Sequence, residues 1–134
     1  MIGRRVFLLA AILAAGCRAK PTGPAGTGAK EKAFEFFDAI RRRDWPTAFA
    51  ATHPNGRLNL SAEAFTRLAE QYRRSIGFEP EQVFVTACDE QAETATAHIV
   101  YQGHAVLKQR HKDGITLRRD GDGWGVMLPA NLGR

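Results

Sequence analysis

The chain has 134 residues, of which 44% are hydrophobic, 9% aromatic and 25% charged. These values are typical of one globular domain and exclude a long disordered tail, a collagen-like repeat and a disulfide-rich miniprotein. The net charge of +5 and the pI near 9.7 raise the hypothesis of nucleic-acid binding, which depends on where the basic residues lie.

Residues 1–16 are predicted to form a secretory signal peptide. Arg4 and Arg5 give it a basic start, and an unbroken apolar run covers residues 6–15. That run is too short to cross a bilayer core of roughly 30 Å, which takes about 20 apolar residues. Its length and flanks are typical of the hydrophobic region of an export signal.

The end of this segment, Leu13-Ala14-Ala15-Gly16-Cys17, resembles the lipobox of bacterial lipoproteins. The resemblance implies cleavage between Gly16 and Cys17, a diacylglycerol on the Cys17 thiol, and a further acyl chain such as palmitate on the freed amine. Ala14 departs from the family, which prefers leucine there. The alternatives are an ordinary signal peptide cut after an Ala-x-Ala sequence and a buried N-terminal helix. Several acyl chains hold a protein stably to a bilayer, so we expect an envelope protein anchored on the periplasmic or extracytoplasmic side.

Cys88 is the second of the chain's two cysteines. Once Cys17 is modified, Cys88 has no partner for an intramolecular disulfide, and no motif of a nucleophilic cysteine surrounds it. We therefore expect Cys88 to pack as a small hydrophobic residue.

Residues 17–28 are predicted to be the lipidated cysteine and a flexible tether, because prolines and glycines are frequent there and large apolar side chains are absent. From Glu31 onward, acidic and basic residues are equal in number. The excess positive charge therefore belongs to residues 1–30, which are the export signal and the stretch beside the membrane, where anionic headgroups favour it. We expect membrane contact through the anchor and no nucleic-acid partner.

The folded domain, residues 29–134, begins with three predicted helices. Apolar residues recur at helical spacing over 29–43, and Asp44 is placed to cap a second, shorter helix. Ser61 caps a third helix over Ala62–Ser75, which Gly77 ends.

The hydrophobic period then changes to two, which predicts strands over 82–88, 92–102, 105–111, 115–119 and 124–128. Turns are predicted at residues 89–90, 112–114 and 120–123. The chain is thus predicted to be α+β, with three N-terminal helices packed on a curved antiparallel sheet of four to five strands.

Asp44, Trp45 and Ala48, together with the closing hairpin over 117–126, resemble the nuclear transport factor 2-like superfamily. The resemblance covers residues 29–129, and many secreted bacterial lipoproteins share this pattern. It implies a cone-shaped domain whose sheet wraps around a helix and leaves a pocket at the open end. Fold alone does not assign an activity.

Five side chains are candidates for the lining of that pocket. The two tyrosines would direct their hydroxyl groups into it, and Trp45 would lie near its rim. The alternative for the aromatic side chains is ordinary core packing. The candidates are Trp45, Phe49, Tyr72, His98 and Tyr101.

Some members of the superfamily are enzymes, ketosteroid isomerase among them, and use a carboxylate in apolar surroundings. Here the acidic residues of the sheet region fall at predicted turns or strand ends, so we predict no catalytic residue. The histidines have no carboxylate or cysteine at ligand spacing, so we predict no metal and no other cofactor. The acidic residues are Asp89, Glu90, Glu93, Asp113, Asp120 and Asp122, and the histidines are His98, His104 and His111.

The expected function is that of a lipid-anchored envelope protein with a non-catalytic domain. Its partner would be a small apolar ligand or another envelope protein, and the open sheet face would allow a homodimer. The alternative is a small enzyme of the isomerase, dehydratase or hydrolase type, with its site in the cone pocket.

Overall fold

The computed structural model describes residues 26–133. Three helices come first: α1 is Ala29–Arg41, α2 is Trp45–Ala50 and α3 is Ala62–Ser75. A short 3-10 turn, Pro54–Gly56, lies between α2 and α3. The bounds of α3 agree with its prediction, whereas α1 ends two residues earlier than predicted because Arg43 has left the helical region, with φ of 60°.

Four strands follow: β1 is Gln82–Glu90, β2 is Thr94–Gln102, β3 is Arg110–Asp120 and β4 is Gly123–Met127. Each pairs antiparallel with the next, in the order β1-β2-β3-β4. The predicted architecture of three helices on a curved antiparallel sheet is confirmed, with four strands. A bulge between Val85 and Ala87 interrupts the pairing of β1 with β2.

The core lies between α1 and the inner face of the sheet. Residues recurring at helical spacing on α1, such as Ala33, Phe36 and Ile40, are almost fully buried. They meet alternate residues of the strands, because every second side chain of a strand points to the same face. These sheet residues include Ala97, Ile99, Tyr101, Leu117 and Val126.

The N-terminus of α1 is capped by a side chain from the sheet. The carboxylate of Glu90, at the end of β1, accepts hydrogen bonds from the Thr27 amide at 3.1 Å, the Thr27 hydroxyl at 2.9 Å and the Ala29 amide at 3.3 Å. The Thr27 hydroxyl in turn accepts a bond from Trp124 Nε1 at 2.9 Å. These bonds satisfy amides that a helix leaves without partners, so they fasten the start of the helix to the sheet.

The C-terminus of α1 is capped by a side chain from α3. The buried guanidinium of Arg73 donates to the carbonyl of Ile40 at 3.1 Å and to that of Arg41 at 2.9 Å. Its charge is paired with Glu79, whose carboxylate lies 2.6 Å away. Both ends of α1 are therefore completed by residues distant in sequence.

The segment 105–114 differs from its prediction. The strand predicted over 105–111 is wrong for residues 105–109, which form a loop closed by the Gly103 amide donating to the Gln109 carbonyl at 3.0 Å. The turn predicted at 112–114 is also wrong, because β3 runs through it without a break. Gly114 pairs with His98, and a β-carbon on Gly114 would lie 3.2 Å from His98 Nδ1. The glycine thus makes room for a neighbouring side chain rather than for a turn.

The turn predicted at Asp89-Glu90 lies slightly later. Both residues belong to β1, and the chain reverses at residues 91–93, where the Gln91 amide donates to the Thr94 carbonyl at 2.7 Å. This shift places Glu90 in the sheet, within reach of α1.

The outer face of the sheet is exposed and mostly polar. Its side chains on β2 and β3 alternate with those of the core, as a sheet covered on one side requires. They include Thr94, Thr96, His98, Lys112, Thr116 and Arg118.

Candidate functional site

A cavity of about 270 Å³ lies on the inner side of the sheet, between α1, α3, β3 and the C-terminal segment. Its apolar wall comes from Phe36 and Phe37 of α1 and from Ile115 of β3. Two polar side chains border the same cavity, Tyr72 from α3 and Asp113 from β3. The cavity thus combines an apolar surface with a few convergent polar groups, as small-molecule sites do.

Tyr72 and Asp113 form a hydrogen bond at the wall of the cavity. The Tyr72 hydroxyl donates to Asp113 Oδ2 at 2.6 Å, and the amide of Gly114 donates to Asp113 Oδ1 at 2.7 Å. A donor–acceptor distance of 2.6 Å is typical of a charge-assisted bond between a hydroxyl and a carboxylate. Both side chains are half-buried, so the carboxylate is partly withdrawn from water and still borders the cavity.

Tyr72 holds its proton strongly. Burial, the neighbouring Tyr101, and the hydrogen bond and negative charge of Asp113 all raise the pKa of Tyr72 far above its usual value. The Tyr72 hydroxyl therefore stays protonated at any physiological pH and can donate its hydrogen bond to Asp113.

His111 brings a second titratable ring to the same wall. It lies two residues before Asp113 on β3, so both point to the inner face. Its ring meets that of Tyr72 edge to face, with centroids 6.3 Å apart. Three polar side chains, Tyr72, His111 and Asp113, thus border one cavity.

The C-terminal segment closes one side of the cavity. Leu132 is buried against the core, and Gly133 follows it with φ of 76°, a region that glycine enters without strain. A β-carbon at Gly133 would lie 2.7 Å from the Leu68 carbonyl of α3. Glycine here allows the segment to approach the helix closely enough to form a wall.

No protein-family model matches the sequence, and no curated protein is significantly similar to it. Several solved structures have a similar fold. A protein from Campylobacter jejuni described as an NTF2-like transpeptidase has a TM-score of 0.60 at 9% identity, over 74% of this chain and 96% of that chain. A SEC-C motif containing protein from Rhodopseudomonas palustris has a TM-score of 0.55 at 12% identity, over 78% and 79%.

A third similar structure is a calcium/calmodulin-dependent protein kinase type II association domain from Thiobacillus denitrificans, with a TM-score of 0.51 at 15% identity, over 79% of this chain and 94% of that chain. The domain has an NTF2-like fold. At these identities the likeness concerns the fold alone, so the chemistry of this NTF2-like domain has to be argued from its own residues.

The two tyrosines expected in the cone pocket of the NTF2-like domain occupy different places. Tyr72 lines the cavity. Tyr101 is fully buried in the core, and its hydroxyl donates to the carbonyl of Phe37 at 2.6 Å. Burial and the charge of Asp113 raise the pKa of Tyr101 well above its usual value. Tyr101 therefore contacts Phe37, a residue of the cavity wall, without bordering the cavity itself.

The other three candidates lie away from the cavity. Trp45 and Phe49 belong to α2 and pack on the core, where the Phe49 ring lies 5.3 Å from that of Phe65 and under the guanidinium of Arg57. His98 is exposed on the outer face of β2. Of the five candidates, the structure thus brings only Tyr72 to the cavity.

The prediction from sequence missed Asp113 and His111. The statement that every acidic residue of the sheet region lies at a turn or strand end is wrong for Asp113, which is in the middle of β3. The signal that could have found it is the alternation of His111, Asp113, Ile115 and Leu117, which places all four on the inner face. The Asp-Gly pair concealed this alternation, because locally it favours a turn.

His53 and Cys88 are of residue types that often act in catalysis, but both lie away from the cavity and make contacts within the fold. His53 is buried, and its Nε2 lies 2.8 Å from the Arg119 carbonyl, while its Nδ1 accepts from the Asn55 amide at 3.0 Å. Cys88 is half-buried on β1, and burial together with Glu90 raises the pKa of its thiol. Within residues 26–133, no three histidine, cysteine or acidic side chains are grouped to hold a metal.

The predicted signal peptide, the cleavage position at Gly16 and Cys17, and the tether up to residue 25 lie outside the described residues. Among residues 26–133, no helix combines the length and the hydrophobicity needed to cross a membrane.

Proposed function

We propose that this protein is a lipid-anchored component of the cell envelope whose NTF2-like domain binds a small ligand in its cavity. The observation that carries the ligand-binding part is the Tyr72–Asp113 hydrogen bond at the cavity wall. Partly buried polar pairs cost free energy unless their groups are satisfied, and here the carboxylate keeps accepting capacity toward the cavity. An apolar wall opposite such a pair is the usual design of a small-molecule site.

A cavity-blocking variant tests ligand binding. Ser75 lines the cavity at the end of α3 and is exposed, so Ser75→Trp would narrow the opening with little effect on the core. Compounds that bind the wild-type protein, detected by a rise in melting temperature, should lose that effect in Ser75→Trp. Arg74→Trp is the matched control, because Arg74 is exposed beside it and does not line the cavity. Compounds that stabilise both variants equally would contradict binding in the cavity.

The anchoring part of the proposal rests on the resemblance of Leu13–Cys17 to a lipobox and on the tether that follows it. A bacterial host given a labelled fatty acid should label the wild-type protein and the Cys88→Ser variant. The Cys17→Ser variant should carry no label and keep the length of the precursor. Normal processing of Cys17→Ser would instead identify an ordinary signal peptide.

A small enzyme is the second candidate, favoured by His111 beside the Tyr72–Asp113 pair. An imidazole and a carboxylate on one wall can move protons to and from a bound substrate. For any compound found to bind, proton NMR in D2O would detect exchange of its C–H groups or conversion to product. Catalysis should fall by about 10²-fold or more in His111→Gln, the usual scale of general acid–base contributions. Binding without exchange of C–H groups and without conversion to product would support a non-catalytic binding domain.

A further inference from the structure

The carboxylate of Asp113 has no cationic partner among residues 26–133. The ion pairs of this part of the chain involve other residues, and the two groups that donate to Asp113, the Tyr72 hydroxyl and the Gly114 amide, are neutral. Lys112, adjacent in sequence, also borders the cavity, but alternation along β3 directs its side chain to the outer face, and it forms no ion pair with Asp113. The cavity therefore has negative charge that the described domain leaves uncompensated.

Aromatic residues line the same cavity as this charge. Phe36 and Phe37 line the cavity from α1, Tyr72 lines it from α3, and His111 stands beside Asp113. The faces of aromatic rings attract cations, and they attract more strongly where water is partly excluded. A carboxylate among aromatic rings is the arrangement that recognises an organic ammonium group, because the charge meets the carboxylate and the carbon atoms meet the rings.

The size of the cavity limits the ligand. Its volume of about 270 Å³ is slightly below that of most small-molecule sites, which run from about 300 to 1,000 Å³. One water occupies about 30 Å³ of liquid, so the cavity holds a compound of about ten non-hydrogen atoms.

We propose that the cavity selects small organic cations, an ammonium group on a short apolar or aromatic body, with Asp113 as the charge-recognising residue. The proposal rests on the proposed ligand-binding function and names the chemical class of its ligand. Tyr72 positions the carboxylate through its hydrogen bond, and the phenylalanines of α1 contact the apolar body.

Three probes of one shape and different charge test this proposal on the full chain: benzylammonium, benzyl alcohol and benzoate. Binding is measured by NMR shifts of the resonances of Tyr72, His111 and Asp113. We expect benzylammonium to bind at least about tenfold more tightly than benzyl alcohol, and benzoate to bind most weakly. Rising salt should weaken the binding of benzylammonium and leave the binding of benzyl alcohol unchanged, since only the binding of the cation is electrostatic.

Asp113→Asn should abolish the preference for the cation and retain binding of benzyl alcohol. Asp122→Asn is the matched control, because it makes the same change of net charge at an exposed turn and should keep the preference. If Asp113→Asn does not fold, the salt dependence of the wild-type protein decides the question.

The outcomes separate the two proposals. Equal or tighter binding of benzyl alcohol or benzoate at the cavity would overturn the selectivity for cations and leave ligand binding standing. Persistence of the preference in Asp113→Asn would place the recognition elsewhere and also overturn it. Failure of all three probes to shift the cavity resonances would contradict ligand binding itself.

Discussion

Glu90 and Asp113 are two carboxylates on the inner face of one sheet, and their surroundings differ. Glu90 accepts bonds from two backbone amides and a hydroxyl, all of which belong to the start of α1. Asp113 accepts one bond from Tyr72 and one from the amide of the next residue, and it borders a cavity. The difference teaches that the same chemical group can complete a helix in one part of the sheet and border an open cavity in another.

Arg73 belongs with Glu90 in this comparison, since it completes the opposite end of α1. Replacing it by methionine keeps an unbranched apolar stem but removes the guanidinium, which leaves the carbonyls of Ile40 and Arg41 without these donors. Because hydrogen bonds from charged groups contribute about 1.5–3 kcal/mol, Arg73→Met should lower the free energy of unfolding by about 2–3 kcal/mol in a urea titration. Arg74→Met, on an exposed neighbour, should change it by less than ~0.5 kcal/mol. Equal effects of the two variants would show that the cap contributes nothing.

Glu90→Ala removes the cap at the other end of α1. Loss of a helix N-cap typically costs about 0.5–2 kcal/mol, and we expect about 1–2 kcal/mol here because several donors lose one acceptor together. Glu93→Ala provides the control, as Glu93 is exposed in the adjacent turn. Hydrogen exchange should also become faster at the Thr27 and Ala29 amides in Glu90→Ala. An unchanged rate of hydrogen exchange at these amides would show that Glu90 does not cap α1.

The sequence predicts those parts of the fold that local interactions determine. The bounds of α3 follow from its hydrophobic period and from Ser61, whose hydroxyl accepts from the Ala64 amide as a capping residue should. The caps of α1 are different. Glu90 and Arg73 lie 61 and 33 residues from the backbone groups that they contact, and no local pattern relates such positions.

The cavity escaped prediction for a related reason. An Asp-Gly pair with a preceding lysine favours a turn when only neighbours in sequence are considered. Residues 112–114 are held extended instead by pairing with residues 98–100 of β2, and His98 occupies the space beside Gly114. The long-range strand pairing therefore prevails over the local preference for a turn. Because residues 112–114 are extended, Asp113 faces the cavity.

Acid should weaken the cap of α1. Burial raises the pKa of Glu90, but the hydrogen bonds from Thr27 and Ala29 and the charge of Arg119 outweigh burial and hold that pKa below its usual value. A folded-state pKa below the unfolded one gives stability that is complete above the unfolded pKa of about 4.3 and is lost as the pH falls through the folded one.

The stability difference between the wild-type protein and Glu90→Gln should therefore be constant near neutral pH and shrink as the pH falls below about 4.3. Glu79, whose pKa is lowered chiefly by its hydrogen bond from Arg73, adds an effect of the same sign to both proteins and cancels in the difference. Urea titrations at a series of pH values provide the measurement. A difference that grows on acidification would give the wrong sign and contradict this role of the Glu90 charge.

Asp113→Asn should have the smallest effect on stability of these variants. The asparagine carbonyl can still accept the Tyr72 hydroxyl, whereas the exposed Gly114 amide loses its side-chain acceptor. The lost charge completes no helix and pairs with no lysine or arginine within residues 26–133. We expect a change of less than ~1 kcal/mol, the usual scale of one exposed hydrogen bond. A loss as large as that of Glu90→Ala would mean that the Asp113 charge stabilises the fold. A small loss, combined with loss of cation binding, would separate a carboxylate used for recognition from one used for structure.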